Sequence, residues 1–134
     1  MSPDIFRIVV VIIIAAHGIG HVMGVMSPLG IEIQGASGES WAFSRFGSGL
    51  ADAIEAVLFL IPTIGFVIAA VGLWTGADWF RAVAVGSALV SLVAIGLYPS
   101  QLPTFSMIGA VAVDVILLAA ILVLQWPSTE TIGA

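Results

Sequence analysis

Long apolar segments alternate with shorter polar ones along the chain, and this pattern predicts four helices. The apolar segments cover residues 5–25, 49–73, 80–97 and 104–126. Each is close to the roughly 20 residues that a helix needs to cross the apolar core of a bilayer. The pattern therefore predicts an all-α fold, an integral membrane four-helix bundle that forms a single domain over residues 1–134.

The breaks between the apolar segments predict how the helices are connected. Ser27 and Pro28 end the first segment, and short turns over residues 74–79 and 98–103 end the second and third. Short turns force neighbouring helices to run antiparallel, which gives an up-down-up-down arrangement. The loop over residues 26–48 is the longest connection.

Composition supports a membrane location and excludes several other classes of protein. The chain is 60% hydrophobic and 8% charged, with a mean hydropathy of +1.22, which is outside the range of soluble globular domains. We therefore expect the lipid bilayer as a partner of this protein. The absence of cysteine excludes disulfides and thiolate metal sites. Only three basic residues are present, so no nucleic acid is expected as a partner.

The basic residues also predict an orientation. Arg7 and Arg81 lie at the face of the bundle that carries both termini, whereas Arg45 lies at the opposite face, in the long loop. Positively charged residues are enriched on the cytoplasmic side of membrane proteins. We therefore expect both termini to be cytoplasmic.

Two histidines interrupt the first apolar segment, in the stretch A-A-H-G-I-G-H-V-M-G. Because an α-helix turns about 100° per residue, His17 and His21 share one face with Gly20 and Gly24. These glycines, extended back by Ala16, form a small-x-x-x-small pattern that lets a neighbouring helix approach closely. We therefore predict a helix-packing face at Ala16, Gly20 and Gly24, with both histidines pointing into protein.

The other polar side chains of the apolar segments gather in the half of the bundle nearer the long loop. The acids and the tyrosine among them are Asp52, Glu55, Asp114 and Tyr98. A rise of about 1.5 Å per residue places His21 and His17 roughly 6 and 12 Å below the membrane face next to the loop, and Asp52 and Glu55 about 5 and 9 Å below it. We therefore predict that these four side chains form one buried cluster between the first two helices.

Asp114 lies deepest, near the level of His17. Depth and polarity alone leave two alternatives, an Asp114 that pairs with His17 or an Asp114 that is protonated. Ser91 is interpreted as a residue of helix packing, because no Gly-x-Ser-x-Gly turn surrounds it.

Ionisable side chains at the centre of a membrane cost roughly 2.5–3.5 kcal/mol each on insertion scales, so their clustering requires an explanation. One candidate is a metal ion held by His17, His21, Asp52 and Glu55, because residues spaced by three or four positions on a helix can bind a metal together. A second is a lipophilic ligand such as a quinone, for which these four residues, Asp114 and Tyr98 supply hydrogen bonds or a proton relay.

A third alternative involves no ligand. The polar groups then satisfy each other, and the protein is a non-catalytic structural or accessory subunit, in a homo-oligomer or a larger membrane complex. A proton or ion path through an oligomer also remains open. The residues do not decide whether the protein is an enzyme.

The motif H-G-x-G-H-x-x-G in the first segment, followed by a long loop and a last segment that opens P-T-F-S-M-I-G, carries a resemblance. The chain resembles small four-helix bacterial membrane proteins of uncharacterised function that have an H-G-x-x-H motif in the first helix. It is more remotely similar to the DoxX-like proteins, some of which are associated with quinone-linked oxidation. The first resemblance implies a fold and a bacterial or archaeal cell membrane, and the second favours the quinone hypothesis.

Overall fold

The computed structural model describes residues 2–128 and residue 130, so the remaining positions of the predicted single domain lie outside it. The fold is all-α, with 74% helix. Its helices are α1 Pro3–Gly20, α2 Met23–Met26, α3 Ser48–Thr75, α4 Phe80–Leu97 and α5 Thr104–Leu118, the last continued by a π-helical turn over Ala119–Val123. Four helical segments are long and apolar enough to cross a membrane: Pro3–Leu29, Ser48–Thr75, Phe80–Leu97 and Thr104–Val123. The predicted fold class is therefore confirmed.

The first predicted helix is interrupted at the second histidine. There the backbone hydrogen bonds span three residues, because the His21 N–H donates to the Gly18 carbonyl at 3.1 Å and the Val22 N–H donates to the Ile19 carbonyl at 3.0 Å. Such bonds tighten a helix to about three residues per turn. The side chains after His21 therefore point in directions different from those that a regular α-helix would give them.

The α3 helix lies in the middle of the bundle, where it packs against α1 and against α4, and α5 packs against α4. Apolar side chains fill the bundle in two clusters. One lies toward the termini around Phe66 and Phe80, and the other lies toward the long loop around Phe59 and Tyr98. Because α1 and α5 lie at the two ends of this series, a groove remains between them.

Two glycines set the close approach of α3 to the first membrane segment. A Cβ atom at Gly18 would lie 2.7 Å from the Phe66 Cβ, and one at Gly24 would overlap the Phe59 ring. A Cβ atom at Gly20 would meet nothing within 4 Å. The close helix contact that was predicted at Gly20 is therefore made by Gly18 instead.

The reason for this correction is angular. Gly18 and Gly20 lie about 200° apart around the helix, so only one of them can face α3. Ala16 is exposed, and both Ala16 and Gly20 line the groove toward α5 instead of lying at a contact between helices. At Gly24 the predicted contact with the next long helix is present.

The long loop is attached to the end of α4 by side-chain hydrogen bonds. The Ser40 hydroxyl donates to the Leu97 carbonyl at 2.8 Å, and the Trp41 indole N–H donates to the Gly96 carbonyl at 2.7 Å. The Ser40 oxygen also accepts the backbone N–H of Phe43 at 3.2 Å. The loop therefore covers the end of the bundle at which Tyr98 is buried.

Candidate functional site

The first histidine contacts the acid of the last helix. The His17 Nε2 atom lies 2.8 Å from the Asp114 Oδ1 atom, with side-chain exposures of 8% and 0%, respectively. This contact joins α1 to α5 across the groove between them. The Asp114 and His17 side chains are therefore hydrogen-bonded partners.

Ser91 on α4 connects this pair to the second histidine. Its hydroxyl donates to the Asp114 Oδ2 atom at 2.5 Å, and its oxygen lies 3.0 Å from the His21 Nε2 atom. Because a hydroxyl has only one hydrogen to donate, the His21 Nε2 atom must donate its own hydrogen to Ser91. The result is a continuous chain of hydrogen bonds from His17 through Asp114 and Ser91 to His21, which we call the histidine network.

Ser91 was assigned no role at the site by the sequence analysis. The available signal was its place on the polar face of its helix, in the half of the bundle that holds the histidines. A serine on a membrane helix is most simply explained by packing between helices. Its bridging position depends on three helices, and no single segment contains that information.

Two phenylalanines of α3 form the apolar wall behind the histidines. The Phe66 ring centroid lies 4.7 Å from that of His17 and 6.0 Å from that of His21, and Phe59 lies 6.1 Å from His21. Gly18 and Gly24 allow these two rings to approach, because neither glycine has a side chain in the way. The glycines of the motif therefore bring α3 against the imidazoles and exclude other groups from that side.

The opposite side of the histidines faces a groove between α1 and α5. This pocket has a volume of about 410 Å³, and its lining includes Ala16, His17, Gly20, His21 and Gly109. Small side chains leave the space open, since a Cβ atom added at Gly20 or at Gly109 would meet nothing within 4 Å. His17 and His21 supply the imidazole groups of a wall that is otherwise mostly apolar.

A second pocket of about 390 Å³ continues the groove toward the termini. Its lining is apolar and includes Phe6, Leu117 and the Trp126 ring. Ile13 and Val113 line both pockets, so the two spaces adjoin. The groove therefore has one end that carries imidazoles and one end that is apolar.

Asp52, Glu55 and Tyr98 do not belong to the histidine network. The Tyr98 hydroxyl donates to the Ala51 carbonyl at 2.6 Å, on the first turn of α3. Burial, followed by the negative charge of Glu55, raises the pKa of the Tyr98 phenol. These three side chains form a separate polar group beneath the long loop.

The cluster predicted from His17, His21, Asp52 and Glu55 is therefore corrected. The carboxylate beside the two histidines is Asp114, from the last helix, and not an acid of the second. The depth estimate brought His17 level with Asp114, with which it is in contact. It could not give the rotation of α3 about its axis, which leaves both acids of this helix outside the group of His17, His21 and Asp114.

The same correction applies to the predicted metal ligands. Within residues 2–128 and residue 130, the group that could hold a metal ion is His17, His21 and Asp114, with one ligand atom from each residue within 4.8 Å of the others. Two imidazoles and one carboxylate suit zinc and other divalent transition metals. If a metal ion bound to the Nε2 atoms of His17 and His21, it would take the place of the hydrogens through which these atoms contact Asp114 and Ser91.

Comparison with protein-family models, with curated proteins and with solved structures finds no match for this chain. The resemblance to the H-G-x-x-H proteins and the DoxX-like group therefore stays an expectation from the motif. Any assignment of function rests on the geometry of the histidine network and of the groove.

Proposed function

We propose that the protein lies in a membrane and binds a lipophilic ligand of the quinone class in the groove between α1 and α5. One observation carries this proposal: two histidines, tied together through Asp114 and Ser91, line a groove whose other walls are mostly apolar. Sites for small molecules generally combine apolar walls with a few placed polar groups.

The ligand would reach this site from the bilayer. The groove lies between helices that are apolar enough to cross a membrane, and both helices expose many large apolar side chains, such as Ile12, Ile19 and Ile108. A polar ring can lie against His17 and His21 while an apolar tail extends past Ile13 toward the termini. The supporting feature is the order of the two pockets, one with imidazoles and one without.

The histidine network would also give the site a route for protons. Imidazole is the side chain whose ordinary pKa lies nearest neutral pH, and it can take or release a proton at either nitrogen. His17 lines the groove, and His21 lies at the far end of the hydrogen-bonded chain. When His17 is protonated, its charge is shared with Asp114 rather than left as an isolated buried charge, and the proton can pass to a bound ligand.

We further propose that the protein is located in a bacterial or archaeal cell membrane, with both termini in the cytoplasm. This part of the proposal rests on the H-G-x-x-H resemblance and on Arg7 and Arg81 near the face of the termini.

Binding of a short-tailed ubiquinone to the protein in lipid nanodiscs tests the proposal. We expect saturable binding of one quinone per chain, weakened at least tenfold by His17→Gln and by Gly109→Leu. The leucine side chain would occupy part of the groove, and its Cβ atom would meet nothing within 4 Å. The matched control is Gly86→Leu on α4, which is equally open and does not line the groove.

If both groove variants bind the quinone as tightly as the Gly86→Leu control, the groove is not the binding site and the proposal fails. If the unaltered protein binds no quinone at all, the proposal also fails. The remaining alternative is then a structural or accessory subunit, whose polar groups only fix the helices, in a homo-oligomer or a larger complex.

A second candidate function is metal binding, favoured by the closeness of ligand atoms from His17, His21 and Asp114. Metal analysis of the protein after detergent purification tests it, followed by titration of the metal-free protein with Zn²⁺. We expect one bound ion per chain that is lost in His21→Gln and retained in Glu55→Gln, which alters an acid outside the group. No bound metal before or after the titration would exclude this candidate.

A further inference from the structure

We infer a second site, separate from the histidine network, at which Glu55 and Asp52 bind a hard cation such as Na⁺ or Ca²⁺ beneath the long loop. This inference does not depend on the proposed binding of a quinone. Its residues lie on α3 and at the end of α4, and none of them lines the groove.

The strongest observation is the state of Glu55. Its side chain is 0% exposed, and neither of its carboxyl oxygens has a hydrogen-bond partner within the protein. A buried polar group without a partner costs free energy, and an ionised one costs far more. A fully buried carboxyl group of this kind therefore indicates a ligand that satisfies it.

Within the part of the chain that the structure describes, no basic side chain supplies the missing partner. The ion pairs among the described residues join Arg7 to Asp4 and His17 to Asp114. Arg45 lies in the loop and is exposed. Glu55 and Asp52 therefore place two acids one turn apart with no cation from the protein to compensate them.

Oxygen atoms of the right kind surround this position. Asp52 lies three residues before Glu55 and is half-buried, so it reaches the same face of α3. The Tyr98 hydroxyl uses its hydrogen on the Ala51 carbonyl, which leaves lone pairs on the phenol oxygen. The Ala51 carbonyl that accepts from Tyr98 lies one helical turn before Glu55, so the phenol oxygen lies at the same end of α3 as both acids.

The chemistry of these donors defines the class of ligand. Carboxylate and hydroxyl oxygens prefer Na⁺, Ca²⁺ and similar hard cations, whereas the nitrogen-rich histidine network prefers transition metals. An ion would enter from the loop side, where Asp52 is only half-buried. Ser40, bonded to the Leu97 carbonyl, lies beside Tyr98 and would close the site from above.

Cation binding to the purified full chain in detergent tests the inference. The protein is first exchanged into choline chloride, and NaCl or CaCl₂ is then added at constant ionic strength while thermal unfolding is followed. We expect one of the two salts to raise the unfolding temperature in a saturable way. We expect at least tenfold weaker binding in Glu55→Gln and in Asp52→Asn, and no change in Glu39→Gln, which alters an exposed acid of the loop.

Equilibrium dialysis with radioactive ²²Na⁺ or ⁴⁵Ca²⁺ gives a second measurement on the unaltered protein, which remains decisive even if Glu55→Gln does not fold. One bound ion per chain supports the site, and no bound ion overturns it. Infrared spectroscopy can detect the result that contradicts the inference, a protonated Glu55. A protonated-carboxyl band in the unaltered protein at neutral pH, absent from Glu55→Gln and unaffected by either salt, would mean that a proton occupies the site instead.

Discussion

Replacing Asp114 with asparagine gives the sharpest test of the histidine network. Asp114 is fully buried and accepts hydrogen bonds on both carboxyl oxygens, from Ser91 at Oδ2 and from His17 at Oδ1 when His17 carries the hydrogen at Nε2. Asparagine has nearly the same volume, but one of its two terminal atoms is a nitrogen that can only donate. In Asp114→Asn, the amide nitrogen therefore cannot accept a hydrogen from His17 or from Ser91 as the carboxylate oxygen does.

The size of the expected effect depends on the charge of the pair. If Asp114 is ionised and His17 protonated, the substitution leaves a buried cation without its partner, which costs about 3–5 kcal/mol. If Asp114 is a neutral acid that donates to His17, the asparagine amide reproduces the same pattern of one donor and one acceptor. The effect should then be small, below about 1 kcal/mol.

We expect the larger loss, about 3–5 kcal/mol, because an Asp114 carboxylate that is 0% exposed and accepts from two donors needs the positive charge of His17 to compensate it. The loss is a large part of the roughly 5–15 kcal/mol of stability that is typical of a folded domain. Reversible unfolding in mixed detergent micelles, followed by tryptophan fluorescence, measures it. Asp78→Asn is the matched control, since this exposed acid lies in the turn between α3 and α4, outside the histidine network.

A double-mutant cycle separates the pair from its surroundings. His17→Gln, Asp114→Asn and the double variant should give a coupling energy of at least about 1 kcal/mol, because contacting residues in one network are not additive. An unfolding free energy that changes by less than about 0.5 kcal/mol in Asp114→Asn, a range typical of neutral substitutions, would refute the charged pair. A protonated-carboxyl infrared band at neutral pH that disappears in this variant would identify the neutral acid instead.

Two further predictions concern packing and the bridge of the network. Gly18→Ala should lower the free energy of unfolding by about 1–3 kcal/mol, as overpacking does, because the new methyl group meets Phe66. Gly20→Ala should change it by less than about 1 kcal/mol. Equal effects of the two substitutions in thermal unfolding would contradict the assigned packing face. Ser91→Ala should cost about 1–3 kcal/mol, since it leaves two buried polar groups with one partner fewer. Ser87→Ala, which removes only a bond to its own helix, should cost less in the same unfolding assay, and the reverse order would argue against the bridge.

The helices were predicted closely because their signal is local. The third apolar segment, residues 80–97, coincides with α4, and the second is only slightly shorter than α3 Ser48–Thr75. Hydropathy over about 20 residues is a property of one segment, and it needs no information about neighbours. The interruption at His21 and the end of the last helix at Val123 were not predicted, because single turns depend on local backbone geometry.

The candidate site was predicted in part. His17 and Asp114 were expected at one level, and they are in contact. Asp52 and Glu55 were expected with the histidines, and they lie instead beside Tyr98. Ser91 was seen as a packing residue, and Gly20 was expected at the helix contact that Gly18 makes.

These outcomes separate what the sequence determines from what only the tertiary structure decides. The number of helices, their ends within a few residues and the depth of each polar group follow from the sequence, because each residue adds about 1.5 Å along the axis of an α-helix. The partner of each polar group does not follow, because it depends on how each helix is rotated about its axis. That rotation is set where several helices pack at once, as where Phe66 packs against Gly18 while the neighbouring His17 contacts Asp114.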